Sequence, residues 1–319
     1  MRSLAPSTVR RVLLERPPYR DGATAANATP WIFHTPWSCS WIAQPNTPTA
    51  PFVCGYRLRV TLAERTSIRM HVSADERYEL FVDGVRVGRG PERGMPQRWF
   101  YETYDADCDA GTHVIAARVW SLGPLRPWAQ TTLTHGFILA PDNPRQTDLI
   151  GTGVAPWQSR LLPGYAFSAS PGLGTGGRET IDGAAYAWDW SVENEDDWQT
   201  PIIIHSGNNG HESYALPGGV HAMYPAQLPP MRSEQITGAV VRSVDTLETD
   251  ADCATPFTES RRSACAAWQR MLRNKPAVVS PRTRIRVLID LDNYECVYPE
   301  LIVSGGCGAV SCLRAAQPE

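Results

Sequence analysis

The feature that most narrows the fold is a period of two in hydrophobicity, repeated on both sides of one Asp-Gly pair. Tyr56, Leu58, Val60 and Leu62 share one face of an extended run, while Arg57, Arg59 and Thr61 share the other. That is the pattern of a strand with one side over a core. Ile68, Met70, Val72 and Ala74 repeat it; Tyr78, Leu80 and Val82 then lead into Asp83-Gly84, with Val85 and Val87 beyond. Asp-Gly between alternating runs predicts a two-residue hairpin loop. Such a loop sets Val82 opposite Val85 and Leu80 opposite Val87, with all four buried on one side of the sheet. Further strands are predicted at 113–120, 137–140, 202–205, 285–291, 301–303 and around Val310. Beyond the N-terminus, the one helix predicted spans 259–273, where Ala264, Ala267, Trp268, Met271 and Leu272 fall at helical spacing. The expectation is an all-β chain.

At 319 residues the length allows two domains. Residues 1–27 are predicted as an N-terminal extension, 28–218 as a β-sandwich, 219–230 as a Pro-rich linker and 231–319 as a second β-domain. The stretch 141–219 is rich in Gly, Pro and aromatics and is predicted as loops laid over the first sandwich. Ala309 to Leu313 resembles a hairpin arm close to the last residue, so the second sandwich is expected to be truncated, with open edges. A net charge of -3 with one lysine, Lys275, and no basic run leaves no electrostatic footprint for nucleic acid or an anionic membrane. The N-terminus lacks a secretory signal core, which favours the cytoplasm. The sequon Asn27-Ala28-Thr29 matters only in a secreted eukaryotic chain.

Chemistry-bearing motifs are sparse. The eight cysteines contain no Cys-x-x-Cys pair, and the seven histidines are scattered without His-Glu-x-x-His, so neither a metal nor a cofactor is expected. Gly172-Leu173-Gly174-Thr175-Gly176-Gly177 satisfies a dinucleotide pattern but follows no strand and opens no helix. The acidic run Glu193, Glu195, Asp196 and Asp197 lacks the glycine turn of a calcium loop and is expected to be solvated. The eleven tryptophans are more suggestive, because flat aromatic faces stack on sugar rings while Arg hydrogen-bonds hydroxyls. Trp120 and Trp198 are expected to be buried. Trp99 and Trp128, beside Arg98, Arg126, Pro96 and Pro127 in loop-like sequence, are the candidates for a carbohydrate-binding rim.

Residues 73–91, including Tyr78-Glu79-Leu80-Phe81-Val82-Asp83-Gly84, followed by Arg98-Trp99-Phe100-Tyr101-Glu102, resemble the N-terminal sandwich of bacterial α-L-rhamnosidases of glycoside hydrolase family 78. Asp290-Leu291-Asp292-Asn293-Tyr294 and the residues up to Gly306 resemble the start of that family's next β-domain. Asp196-Asp197-Trp198 is similar to a turn of galactose-binding-like jelly rolls. The resemblance implies a galactose-binding-like jelly-roll sandwich followed by a second, incomplete β-sandwich. In that family the inverting carboxylates lie in a helical barrel that follows the β-domains. It therefore implies no catalytic residue in this chain, the catalytic helical barrel as a partner, and a scaffold role or binding of a rhamnose-containing glycan. A stand-alone lectin-like protein, or a glycosidase with an unfamiliar site, is the alternative.

Overall fold

The alternating runs become two facing sheets. The computed structural model describes residues 8–15, 18, 36–170, 172, 174–192, 197–210, 221–230, 234–236, 238–249, 262–293, 295, 297, 300–306 and 309–311. The sequon at Asn27, the acidic residues Glu193, Glu195 and Asp196, and Leu313 lie outside them. The chain divides into two units, residues 1–230 and 231–319.

In the first unit, β1 (Thr8–Val12), β7 (Trp99–Cys108), β4 (Thr66–Asp75), β9 (Gly136–Pro141), β2 (Pro36–Ala43) and β13 (Ile202–Asn208) lie side by side in that order. β14 (Met223–Pro225) also pairs with β7, in parallel. The second sheet has the order β10 (Gln158–Leu161), β3 (Phe52–Leu62), β8 (Gly111–Ser121), β5 (Arg77–Val82) and β6 (Val85–Gly90). Tyr56, Leu58, Val60 and Leu62 from β3 meet Ile68, Met70, Val72 and Ala74 from β4 in one buried cluster, joined by Tyr78, Leu80, Tyr104, Phe137 and Val119. The period-two faces thus close on each other as the core of a β-sandwich.

The Asp83-Gly84 loop forms with positive φ at both residues, 50° and 77°, as a two-residue hairpin requires. The Asp83 carboxylate fastens it by accepting from Val114 N at 2.8 Å and lying 2.8 Å from His113 Nδ1. Val82 pairs with Val85 as predicted, but Leu80 pairs with Gly88 rather than Val87, because a bulge intervenes between Leu80 and Phe81. The cause lies across the core. A methyl group on residue 88 would stand 2.3 Å from Tyr104 Cε1, so the position facing that buried ring must be glycine. Leu80 and Val82 are buried and Val87 is partly buried, whereas Val85, at the tip of an edge strand, is 54% exposed and corrects the expectation of four buried residues. Gly88→Ala is expected to cost about 1–3 kcal/mol in urea unfolding, the range for overpacking a core. Val85→Ala is expected to cost less than about 0.5 kcal/mol.

Two segments expected outside the sandwich belong to it. Residues 8–12, in the predicted extension, form β1 along residues 103–107 of β7, and residues 223–225, in the predicted linker, pair with residues 99–101 of the same strand. Arg11 joins them: its Nε lies 2.5 Å from Glu102 Oε2, and its Nη1 and Nη2 donate to Leu228 O at 3.0 and 3.1 Å. Without these segments β7 would present an open edge.

In the second unit, β15 (Val240–Leu247) pairs antiparallel with β16 (Arg284–Asp290), and the helix Arg262–Met271 packs on β15. Gln269 bridges helix and strand, accepting from Val241 N at 2.8 Å and donating to Ala239 O at 3.0 Å. Residues 300–306 and 309–311 form no strand, correcting the expectation at 301–303 and Val310. Ile302 and Val310 are 91% and 92% exposed, so no apolar surface among the described residues holds them in a sheet.

Candidate functional site

The outer face of the second sheet carries a further aromatic layer. The hairpin of β11 (Tyr165–Ser168) and β12 (Arg178–Ile181), with residues 182–192, covers Val53 and Ala116; Leu162 and Trp190 are buried there against Phe81, Trp120, Tyr165, Phe167 and Tyr186. Gly55 makes room, since a Cβ there would lie 3.1 Å from both Leu162 and Trp190. One cation organises the layer. Arg118 rises from β8, donates to Tyr165 Oη at 3.0 Å and Tyr186 Oη at 2.9 Å, pairs with Glu79, and lies 4.9 Å over the Trp120 ring. Trp120 Nε1 donates to Glu179 Oε2 at 2.8 Å, tying β8 to β12. Trp120 and Trp198 are only partly buried, because the layer above them is thin and irregular.

Two tryptophans of this layer face solvent. Trp128 is 76% exposed, and its indole rests on Gly174, whose position would place a Cβ 3.6 Å from the ring. Its backbone N–H donates to Gly174 O at 3.3 Å; nearby, Gly177 N donates to Leu125 O at 2.7 Å and Gly176 packs on Pro127. The glycine-rich stretch is therefore a seat for the Trp128 loop. Arg126 holds the loop's curve, donating from Nε to Gln130 O at 2.9 Å and from Nη1 to Gly123 O at 2.8 Å. Trp188, 62% exposed, donates from Nε1 to Gly183 O at 3.0 Å, with Tyr186 edge-on at 5.0 Å. Gly174 lies in the tip loop of the hairpin and Gly183 just beyond its base, and β12 between them is exposed along its whole length. A four-residue ladder spans about 13 Å.

Of the predicted rim, Trp128 and Arg126 stand together at the surface. Trp99 is a correction: it is 2% exposed, because it opens β7 and turns inward beside Trp41 and Met223, with its ring edge-on to His221 at 4.4 Å. Arg98 is exposed but donates to Gln227 Oε1 at 2.9 Å and lies over Phe100 and Tyr224, so it serves the segment after β14. Trp188 was not singled out by sequence; its signal was the Asp182-Gly183 turn ahead of an aromatic run.

A concavity of about 690 Å³ lies across β1, β7 and β4 of the first sheet, lined by Arg10, Ser67, Arg69, Asp105, Asp107 and Asp142. Its charges satisfy one another: Arg69 grips Asp105 at 2.6 and 2.9 Å, and Ser67 donates to Asp107 at 2.5 Å. The His71 hydrogen bond and charge, in that order of effect around burial, hold the Asp142 carboxyl below the usual carboxylate range. Among the described residues no aromatic lines this cleft, so they offer no face for a sugar ring. Among the described residues no group of three or more His, Cys, Asp or Glu side chains is placed to hold a metal ion.

No family model matches the sequence, and no curated protein matches it. Solved structures do. A rhamnosidase of glycoside hydrolase family 78 from Bacillus sp. GL1 is 25% identical with a TM-score of 0.52, over 66% of this chain and 22% of that one. An α-L-rhamnosidase from Dictyoglumus thermophilum aligns at 17% identity and TM-score 0.42, over 65% of this chain and 24% of the enzyme. A Pleurotus ostreatus lectin aligns at 15% and 0.35, over 60% and 48%. The chain thus spans less than a quarter of the length of either rhamnosidase, and its likeness to the Bacillus protein is that of a β-sandwich region to a larger chain.

Proposed function

Because the chain is built like a β-sandwich region of a family 78 rhamnosidase, we propose that it is a non-catalytic, carbohydrate-binding part of a rhamnosidase-like glycoside hydrolase. In this reading the chain has a jelly-roll first unit, and a rhamnose-containing oligosaccharide is its ligand. The observation that carries it is the pair Trp128 and Trp188, each largely exposed and each held by a glycine, at the two ends of one hairpin. Pre-set aromatic faces bind without losing rotamer freedom, and the exposed Arg178, Glu179 and Thr180 between them offer hydrogen bonds to hydroxyls. A helical catalytic barrel is the proposed partner, and exposed Val278, Ile302 and Val310 in the second unit are apolar surface for it to cover.

Calorimetric titration with rhamnose-containing oligosaccharides tests the reading. Trp128→Ala and Trp188→Ala are each expected to weaken binding about tenfold, or about 1.4 kcal/mol, with unfolding midpoints unchanged. A folded chain that binds no such glycan leaves the scaffold role in its place. Hydrolysis of an aryl α-L-rhamnoside by the rigorously purified chain would overturn the non-catalytic assignment.

A further inference from the structure

The loop that carries Trp128 runs from Leu122 to Thr134, between β8 and β9, and both of its feet stand on one buried dipeptide, Asp75-Glu76, at the junction of β4 and β5. Glu76 takes the first foot. Its Oε1 accepts from Leu122 N at 3.1 Å and Gly123 N at 2.9 Å, while its own N donates to Trp120 O at 3.2 Å. Asp75 takes the second foot. Its Oδ1 accepts from Thr132 Oγ1 at 2.7 Å and its Oδ2 from Leu133 N at 2.6 Å and Thr134 N at 3.0 Å, with His221 Nε2 also 3.0 Å from Oδ2. Gln130 adds a further tie, donating from Nε2 to Glu76 O at 3.3 Å. Arg126, through its bonds to Gln130 O and Gly123 O, joins one foot to the other.

The loop has little else to hold it. Between residues 122 and 132 only Gln130 is buried, so no apolar side chain of that stretch enters the core, and Leu133 packs there only partly buried. An exposed tryptophan cannot anchor its own loop by burial. Backbone N–H groups bound to a buried carboxylate can, since such charge-assisted bonds are roughly twice as strong as neutral ones. Residue 123 must be glycine for the first foot to form, because its φ is 54° and a Cβ would lie 2.7 Å from Ala50 Cβ. The tip of the β11–β12 hairpin in turn rests on the loop, through Gly177 N and Leu125 O at 2.7 Å. Trp188 is held elsewhere, against Tyr186 and through it Arg118.

We propose that Asp75 and Glu76 are positioning residues for carbohydrate binding: from inside the sandwich they fix the loop that presents Trp128, and so set how that ring meets a sugar. This rests on the carbohydrate-binding reading. Both carboxyl groups are shut off from solvent, so neither touches the ligand, and both act through Trp128. The role differs from general support of the fold in two ways. Loss of Glu76 lowers affinity only as far as loss of Trp128 does, and the two losses do not add. Loss of Trp188, whose anchor is separate, adds to that of Glu76.

Fluorine resonances of the full chain grown with fluorotryptophan read the orientation without a ligand, the Trp128 and Trp188 signals being those missing from Trp128→Phe and Trp188→Phe. In Glu76→Ala the Trp128 signal is expected to move to the position of free fluorotryptophan and the Trp188 signal to stay. Glu76→Gln keeps an acceptor for Leu122 N and Gly123 N, and Oε2 has no partner among the described residues, so both signals are expected to stay. In calorimetric titration with a rhamnose-containing oligosaccharide, Glu76→Ala is expected to weaken binding about tenfold, with no further loss on adding Trp128→Ala and about a hundredfold loss in all on adding Trp188→Ala. A group that only stabilised the sandwich would lower the unfolding midpoint and leave the Trp128 signal and the affinity of the folded chain unchanged. That outcome overturns the proposal, as do additive losses at Glu76 and Trp128. If Glu76→Ala does not fold, Thr132→Val, which leaves Leu133 N and Thr134 N on Asp75, is expected to shift the Trp128 signal the same way, and an unmoved signal overturns the proposal. A chain that binds no such oligosaccharide ends the carbohydrate reading, whereas the fluorine signals still decide whether the pair positions Trp128.

Discussion

Replacing Arg118 by alanine is expected to destabilise the first unit by about 3 kcal/mol, the lower end for breaking a buried ion pair from one side. Arg118 meets Glu79, Tyr165 and Tyr186 at once, and its side chain is 19% exposed, so water cannot replace those bonds. Glu79 keeps Arg86 at 2.9 Å, which softens the loss, but the two tyrosine hydroxyls and the Trp120 face lose their only shared partner among the described contacts. The aromatic layer should loosen as a body, because Tyr165 belongs to the hairpin and Tyr186 to the loop after it. Urea unfolding measures the cost, and glycan titration should show both exposed tryptophans losing their pre-set orientation. Arg86→Ala is the control: that side chain is 54% exposed, and its pair with Glu79 should be worth less than about 1 kcal/mol. Equal effects from the two substitutions would show that Arg118 does not organise the layer.

Arg11→Ala should cost about 3–5 kcal/mol near pH 7, although Arg11 lies in a segment whose local pattern marks no strand. It leaves Glu102, with a side chain 4% exposed, buried beside Glu92. Burial already raises the Glu102 pKa above 4.5, with Arg11 opposing, so removing Arg11 raises it further. For a carboxyl raised in the folded state, stability is present below the unfolded pKa and lost as the pH rises through the folded one. The deficit of the variant should therefore shrink as the pH is lowered towards 4.5. Parallel urea titrations of variant and parent at pH 7 and pH 5 check this, and a deficit that is the same at both would show that Glu102 is not the group left exposed to the loss. Arg11 also reaches Leu228 O, and Glu92 accepts from Leu228 N at 2.6 Å, so the same substitution should free the segment after β14.

Local pattern made most of the sandwich legible. Strands β3, β4, β5 and β8, the turn at Asp83-Gly84 and the pairing of Val82 with Val85 all follow from residues two apart and from the positive φ that Asp-Gly accepts. The exposure of Trp128 also followed, because Arg126 and Pro127 beside it mark loop-like sequence. Each departure involves partners distant in sequence. Leu80 faces Gly88 because Tyr104, on the opposite sheet, fills the space a side chain there would need. Trp99 looked like a rim residue among Arg98 and Pro96, yet it lies against Trp41 and His221, 58 and 122 residues away.

The residues themselves determined that this chain builds alternating strands, since burial of every second side chain is a property of the strand and needs no knowledge of its partner. Only the tertiary structure decided which segments complete the first sheet, that Trp99 is buried while Trp188 reaches solvent, and that Asp75, His205 and His221 meet. Those outcomes depend on which faces are brought together, and a contact between residues 146 positions apart, such as Asp75 and His221, leaves no periodicity for the sequence to display.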